Sequence, residues 1–213
     1  MSDIFDPHVE RILRARAKAA LRRRMRGLRA SVPASGRASR SERILERLLA
    51  LPELERAKHV GLFWPMVERA EIDLRPLDRS LREAGKIIGY PCTREDAEGR
   101  VEPTLRIAAP EDLAERGSIY LEPPSDAPEL PLDESTLIVT PALALTPTGD
   151  RLGYGIGFYD RLLSRSVPPG IAVGIAFDFQ IVGELPTTEG DVPVTLVITE
   201  TRSFDTREPS NLS

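Results

Sequence analysis

Five short runs of this chain are apolar on consecutive residues rather than alternate ones: HVGLFW (59–64), KIIGY (86–90), TLIVT (136–140), IAVGIAF (171–177) and TLVIT (195–199). A strand with one wet face alternates apolar and polar residues, whereas a strand covered on both faces has no reason to. The runs therefore predict strands with structure packed on each side. Between the first two, Leu74, Leu77, Leu81 and Ala84 recur at helical spacing, and Gly85 follows as a natural C-cap. Strand, helix and strand in that order form a βαβ unit. DRLLSR (160–165) reads as a further short helix between later strands. Together these predict an α/β fold: a single three-layer domain with a mostly parallel central sheet and helices on both faces. A chain of 213 residues can bury one such core. The domain is expected over 9–201, with a loose N-terminus at 1–8 and a tail at 202–213. The proline-rich EPPSDAPELP (122–131) reads as a surface loop, because strand patterns resume directly after it.

From Val9 to Ala30 the pattern is helical, with Leu13, Ala17, Leu21, Met25 and Leu28 on one side. No acid occurs between Glu10 and Glu42, and arginines are dense. At about 100° per residue, Arg11, Lys18, Arg22 and Arg29 fall within roughly 40° of one another. The helix thus carries an apolar stripe and a separate cationic stripe. A second helix is expected over SERILERLLAL (41–51), ended by Pro52.

The rest of the composition removes several classes of function. A net charge of −4 argues against bulk association with nucleic acid, which leaves the arginine-rich helix as the one feature that would support it. A single cysteine, Cys92, precludes an internal disulfide and suits a reducing compartment. With only His8 and His59, histidine-rich metal sites and most histidine-based triads are excluded. No apolar run approaches the roughly 18 residues of a membrane span. The N-terminus lacks the apolar core of a secretory signal, and Asp3, Asp6 and Glu10 argue against a transit peptide. A cytoplasmic monomer with no membrane or nucleic-acid partner is expected.

The stretch DRLGYGIGFYDRLL (150–163) lies between an apolar strand and a helix. Its glycines, Gly153, Gly155 and Gly157, fall where ligands of open α/β sheets bind. Backbone N–H groups there can converge on one point, and a helix N-terminus favours an anion. Arg151 adds a charge-assisted contact suited to phosphate. The pattern is neither GxGxxG, because Phe158 stands where the third glycine belongs, nor a P-loop, because GK[ST] is absent. A tight strand–helix turn without ligand is the alternative, against which stand the flanking Arg151, Tyr154, Tyr159 and Asp160.

RLGYGIGFYDRLL resembles the signature of the 5-formyltetrahydrofolate cyclo-ligase family, also called 5,10-methenyltetrahydrofolate synthetases. The resemblance extends in order along nearly the whole chain: KAALR (18–22), GLFWPMVERAEID (61–73), GKIIGYP (85–91), LEPP (121–124), the glycine loop, GIAFDFQ (174–180) and DVPVTLVITE (191–200). It departs from the family pattern at Ile156, Phe158 and Thr195, and about two extra residues lie between Met66 and Glu71. The last two departures bear on the folate pocket.

The resemblance implies ATP-dependent cyclisation of 5-formyltetrahydrofolate, with Mg²⁺ as cofactor. It implies that the substrate supplies both nucleophiles, so that the protein contributes alignment and charge. By the same resemblance Lys18 and Arg151 act on the transferring phosphoryl group. ATP is held by Lys18, Ala19, Ala20, Leu21 and Arg22 and by Arg151, Leu152, Gly153, Tyr154, Gly155, Ile156, Gly157, Phe158 and Tyr159. The folate is held by Arg22, Trp64, Glu71, Tyr154 and Tyr159, and the metal by Asp160 and Asp191. Read without the family, Lys18 and Arg22 are a solvated helix face, Trp64 is core, Asp160 is a first-turn helix acid and Asp191 is a turn residue. Cys92 is expected to be a passive buried thiol.

Overall fold

All five consecutive apolar runs become neighbouring parallel strands of one sheet. The computed structural model describes residues 6–95, 98–115 and 121–207. Its helices are α1 (Pro7–Ser31), α2 (Ala34–Leu49), α3 (Pro52–Arg56), α4 (Arg75–Glu83) and α5 (Phe158–Ser166). The strands are β1 (His59–Gly61), β2 (Ile87–Glu95), β3 (Val101–Ile107), β4 (Ala114–Glu115), β5 (Leu121–Glu122), β6 (Thr136–Pro141), β7 (Ala144–Leu145), β8 (Arg151–Leu152), β9 (Ile171–Ile175), β10 (Leu196–Ile198) and β11 (Ser203–Asp205). The central sheet runs β11-β10-β9-β6-β1-β2-β3. β10, β9, β6, β1 and β2 are mutually parallel, while β3 and β11 close the two edges antiparallel.

Strands β6, β9 and β10 send alternate residues into two different cores. Leu137, Val139, Val173, Leu196 and Ile198 meet Ile44, Leu48, Leu54, Leu77 and Leu81 of α2, α3 and α4. Ile138, Ala172 and Val197 meet Phe158, Leu162 and Leu163 of α5 on the other face. This two-sided burial is why the runs lack alternation. Truncating a fully buried residue such as Leu162 to alanine should cost about 2–5 kcal/mol.

The termini differ from expectation. α1 begins at Pro7, with the Asp6 carboxylate accepting the His8 N–H at 2.9 Å as an N-cap, so the last two residues of the expected loose end are helical; residues 1–5 lie outside the described residues. Residues 203–205, expected in the tail, form β11, whose backbone pairs with β10; residues 208–213 lie outside the described residues. α2 starts at Ala34 rather than at 41, because its polar first turns face solvent and carry no apolar period. Pro52 does close α2, and it also opens α3, where a missing N–H costs nothing at the first position. β3 carries mixed polarity because it is an edge strand, which is why no apolar run announced it.

α1 packs against the β7–β8 hairpin. Of its apolar stripe, Met25 is buried against Leu143, Ala144 and Leu152, and Leu21 packs beside it. Leu13 and Leu28 remain exposed. The face that α1 turns inward is largely the cationic one.

Candidate active site

The chain leaves the C-terminal end of β6, makes the short β7–β8 hairpin, and passes through Gly153–Gly157 into α5. Gln180, fully buried, pins this passage: its amide nitrogen donates to the carbonyls of Ala142 (3.1 Å) and Leu143 (2.8 Å). Gly155 has φ 107° and Gly157, the residue that caps α5, has φ 66°. Both values suit glycine far better than any L side chain, so the loop cannot be built from other residues without strain.

Across from the loop runs α1. Arg22 Nε donates to the Gly153 carbonyl at 2.9 Å, and Lys18 Nζ meets Asp191 Oδ2 at 2.5 Å. Arg151, 8% exposed, donates from Nη2 to Asp160 Oδ1 at 2.8 Å. Its guanidinium carbon lies 5.4 Å from the Tyr159 ring. On the far wall Trp64 packs edge-on to Tyr90, with ring centroids 6.1 Å apart. Glu71 accepts the Tyr154 hydroxyl at Oε1 (2.5 Å) and the Met66 N–H at Oε2 (2.9 Å).

These residues enclose a cleft of about 240 Å³. Its lining includes Lys18, Arg22, Trp64, Glu71, Arg151, the whole stretch from Leu152 to Tyr159, Asp160 and Asp191. Four cations (Lys18, Arg22, Arg69 and Arg151), three carboxylates, a bare backbone and an aromatic wall therefore face one space. That set can bind an anionic group at one end and a flat, hydrogen-bonding ring at the other.

A family model of the 5-formyltetrahydrofolate cyclo-ligases matches residues 14–200. The chain belongs to that family. It is 32% identical over 164 residues to the 5-formyltetrahydrofolate cyclo-ligase of Escherichia coli K12, covering 75% of this chain and 87% of that one. It is 30% identical to the Haemophilus influenzae enzyme of the same name, covering 82% and 92%. The solved 5,10-methenyltetrahydrofolate synthetase of Aquifex aeolicus superposes with a TM-score of 0.74 at 31% identity, over 92% of this chain and 96% of that one. The Mycoplasma pneumoniae synthetase, at 20% identity and a TM-score of 0.66, shares the fold, over 86% of this chain and 98% of that one. The chain is accordingly a ligase of folate one-carbon metabolism, forming 5,10-methenyltetrahydrofolate from 5-formyltetrahydrofolate.

Three positions of the expected cyclo-ligase site stay outside the cleft. Ala19, Ala20 and Leu21 do not line it, because only residues three or four apart share a helix face and Lys18 and Arg22 already define the inward one. The extra residues before Glu71 form a single 3₁₀ turn, Val67–Arg69, closed by Ala70 at φ 51°. The turn carries the exposed Val67, and Glu71 accepts the Met66 N–H at its start, with the Glu71 carboxylate lining the cleft. Ile156 is exposed at the loop tip, Phe158 is buried against α5 and the sheet, and Thr195 accepts the Ala172 N–H away from the cleft.

The turn also delivers a residue that sequence reasoning missed: the guanidinium of Arg69 lies 4.8 Å from the Tyr154 ring centroid. Arg29 is another. It shares the cationic stripe with Lys18 and Arg22, and that spacing was its only signal.

Asp191, Arg22 and Cys92 are displaced from their ordinary protonation behaviour. Burial pushes the Asp191 carboxyl up, but hydrogen bonds from Lys18 and the Thr188 N–H outweigh it and hold the group below its ordinary value. Burial, then the charge of neighbouring Arg26, lowers Arg22. Cys92 is buried on β2 and its thiol is pushed up to about 11, as an inert structural residue would be.

Proposed function

We propose that this cleft holds ATP and 5-formyltetrahydrofolate together and that its residues do their work by alignment and charge. The observation that carries the reading is that Lys18, Arg22, Arg151 and the glycine loop line the same cleft as Trp64 and Glu71. The formyl oxygen attacks the γ-phosphorus, the bond to ADP breaks, and ADP leaves with the electron pair. N10 then adds to the formyl carbon of the resulting imino-phosphate. The carbon–oxygen bond breaks, and phosphate departs with the N10 proton. Phosphorylation turns a poor leaving group into a good one, and no side-chain nucleophile is required.

Lys18, Arg22 and Arg151 stabilise the charge that spreads over the transferring phosphoryl oxygens, and the N–H groups of Gly153–Gly157 orient them. Trp64 offers its ring to the flat pterin and Glu71 its carboxylate to the amino-pyrimidine edge, with Tyr159 beside them. Exclusion of water by the walls of the cleft strengthens each of these contacts.

Asp160 and Asp191 fit a magnesium ion. Asp160 accepts at Oδ1 from Arg151 and the Val192 N–H, and Asp191 accepts at Oδ2 from Lys18 and the Thr188 N–H, with a further hydrogen bond from the Thr188 side chain. A carboxylate has more lone pairs than these bonds use, and Mg²⁺ takes one or two carboxylates alongside substrate phosphates. Among the described residues no group of three or more acidic, histidine or cysteine side chains gathers elsewhere as a metal cage. A magnesium ion held here would neutralise phosphate charge.

We place this activity in the cytoplasm, as that of a monomer with small-molecule partners and without nucleic acid or membrane. The inward turn of Lys18, Arg22 and Arg29 supports the small-molecule reading over an RNA-binding helix. No helix among the described residues is long and apolar enough to cross a membrane. The test is the growth of methenyl-folate absorbance after mixing the protein with 5-formyltetrahydrofolate and Mg-ATP. A magnesium requirement and no growth without ATP are the expected results. A steep salt dependence of RNA binding without such turnover would favour the arginine-rich helix as a nucleic-acid surface.

A further inference from the structure

Arg29 is 3% exposed near the end of α1, and the reaction outlined above makes no use of it. Among the described residues its guanidinium has no carboxylate partner. Nε is buried without an acceptor, and Nη2 donates to the Tyr154 hydroxyl at 2.5 Å. A buried cation whose partner is a neutral hydroxyl is costly unless something further offsets it.

The offset lies one bond on. Tyr154 donates its one O–H to Glu71 Oε1 at 2.5 Å, so its oxygen is free to accept from Arg29. Arg29, the tyrosine hydroxyl and the carboxylate thus form one chain of donors across 125 and 83 residues of sequence. The Tyr154 ring centroid lies 4.8 Å from the guanidinium of Arg69 and 5.8 Å from that of Arg29. Burial, then the charge of Glu71, pushes the phenol up to about 12, so it is a protonated donor throughout the physiological range. With the Met66 N–H on Oε2, both oxygens of Glu71 are held, and each keeps a lone pair for a ligand with two parallel N–H groups.

We infer that Arg29 is a positioning residue of this enzyme: acting through the Tyr154 hydroxyl, it orients the Glu71 carboxylate toward the folate and ties the glycine loop to the opposite wall. The inference rests on the reading of Glu71 as a folate contact. It predicts that Arg29 governs folate affinity without touching folate.

Calorimetric titration with 5-formyltetrahydrofolate, and separately with a non-hydrolysable ATP analogue, tests it on Arg29→Met, Arg29→Lys, Tyr154→Phe, Glu71→Gln and the double variants. Arg29→Met and Tyr154→Phe should each weaken folate binding about tenfold, the loss of one charge-assisted hydrogen bond's orienting effect; Arg29→Met should leave the ATP analogue unchanged, and Tyr154→Phe, a change within the glycine loop itself, should weaken it less than folate. The two changes together should cost no more than either alone. Arg29→Met should add nothing in the Glu71→Gln background, and Arg29→Lys, which still donates to the hydroxyl, should recover part of the loss. An equal weakening of both ligands, or a folate effect that persists in the Glu71→Gln background, overturns the inference. If Glu71→Gln itself leaves folate binding intact, the reading of Glu71 fails and takes the inference with it. If Glu71→Gln weakens folate but Arg29→Met and Tyr154→Phe do not, only the inference fails. Should Arg29→Met not fold, Tyr154→Phe combined with Glu71→Gln carries the same comparison.

Discussion

Replacing Gly155 by alanine places a methyl group where the backbone has φ 107°. Holding an L residue there costs about 1–3 kcal/mol. For a chain of this length each kcal/mol lowers the melting temperature by about 2–4 °C, so a fall of roughly 2–12 °C is expected. The new Cβ would also lie 3.2 Å from the Arg22 guanidinium carbon and 3.4 Å from Nε and Nη1. Arg22 is the end of a flexible side chain and can give way, so the contact adds little to the stability cost. Giving way, however, breaks its bond to the Gly153 carbonyl and moves its charge out of the loop. A charge-assisted hydrogen bond is worth about 1.5–3 kcal/mol, which corresponds to roughly 10- to 150-fold in kcat/KM for ATP. The assay follows methenyl-folate formation at saturating folate with ATP varied, beside a thermal melt. A lowered melting temperature with unaltered ATP kinetics would refute the placement of phosphate between the loop and Arg22.

Lys18→Ala should raise the KM for ATP about tenfold, one lost charge–phosphate contact. It should also lower stability by about 1 kcal/mol in denaturant titration, because the half-buried Lys18–Asp191 pair fastens α1 to the turn at 188–191. Asp160→Asn and Asp191→Asn should each lower kcat and raise the magnesium concentration needed for half-maximal rate, since an amide is a poorer hard-cation ligand; unchanged rates across a magnesium titration would remove the metal from this site. The Asp191 carboxyl has a lower pKa in the fold than in the unfolded chain, so its contribution to stability is present above the ordinary value of about 3.9 and is lost as pH falls through the lower folded value. The stability gap between wild type and Asp191→Asn should therefore narrow in acid, and a gap independent of pH from 2 to 7, roughly the span of that titration, would contradict the pairing.

What could be read from residues alone was whatever depends on near neighbours in the chain. Continuous apolar runs mean two covered faces, so the five parallel strands were legible without coordinates. The glycine loop was legible because positive φ and close approach are local demands that glycine meets. The order of motifs carried the family. Edge strands β3 and β11 escaped, because a half-wet strand with one pairing partner has no distinctive composition. A helical wheel put Lys18, Arg22 and Arg29 on one face but could not say whether that face meets water or a cleft, since charge tells nothing of what packs opposite. Only the folded chain decided that Lys18 meets Asp191, that Arg151 meets Asp160, and that Tyr154 stands between Arg29 and Glu71. Such pairings are set by how helices and loops stack on the sheet, and distance along the chain holds no record of them.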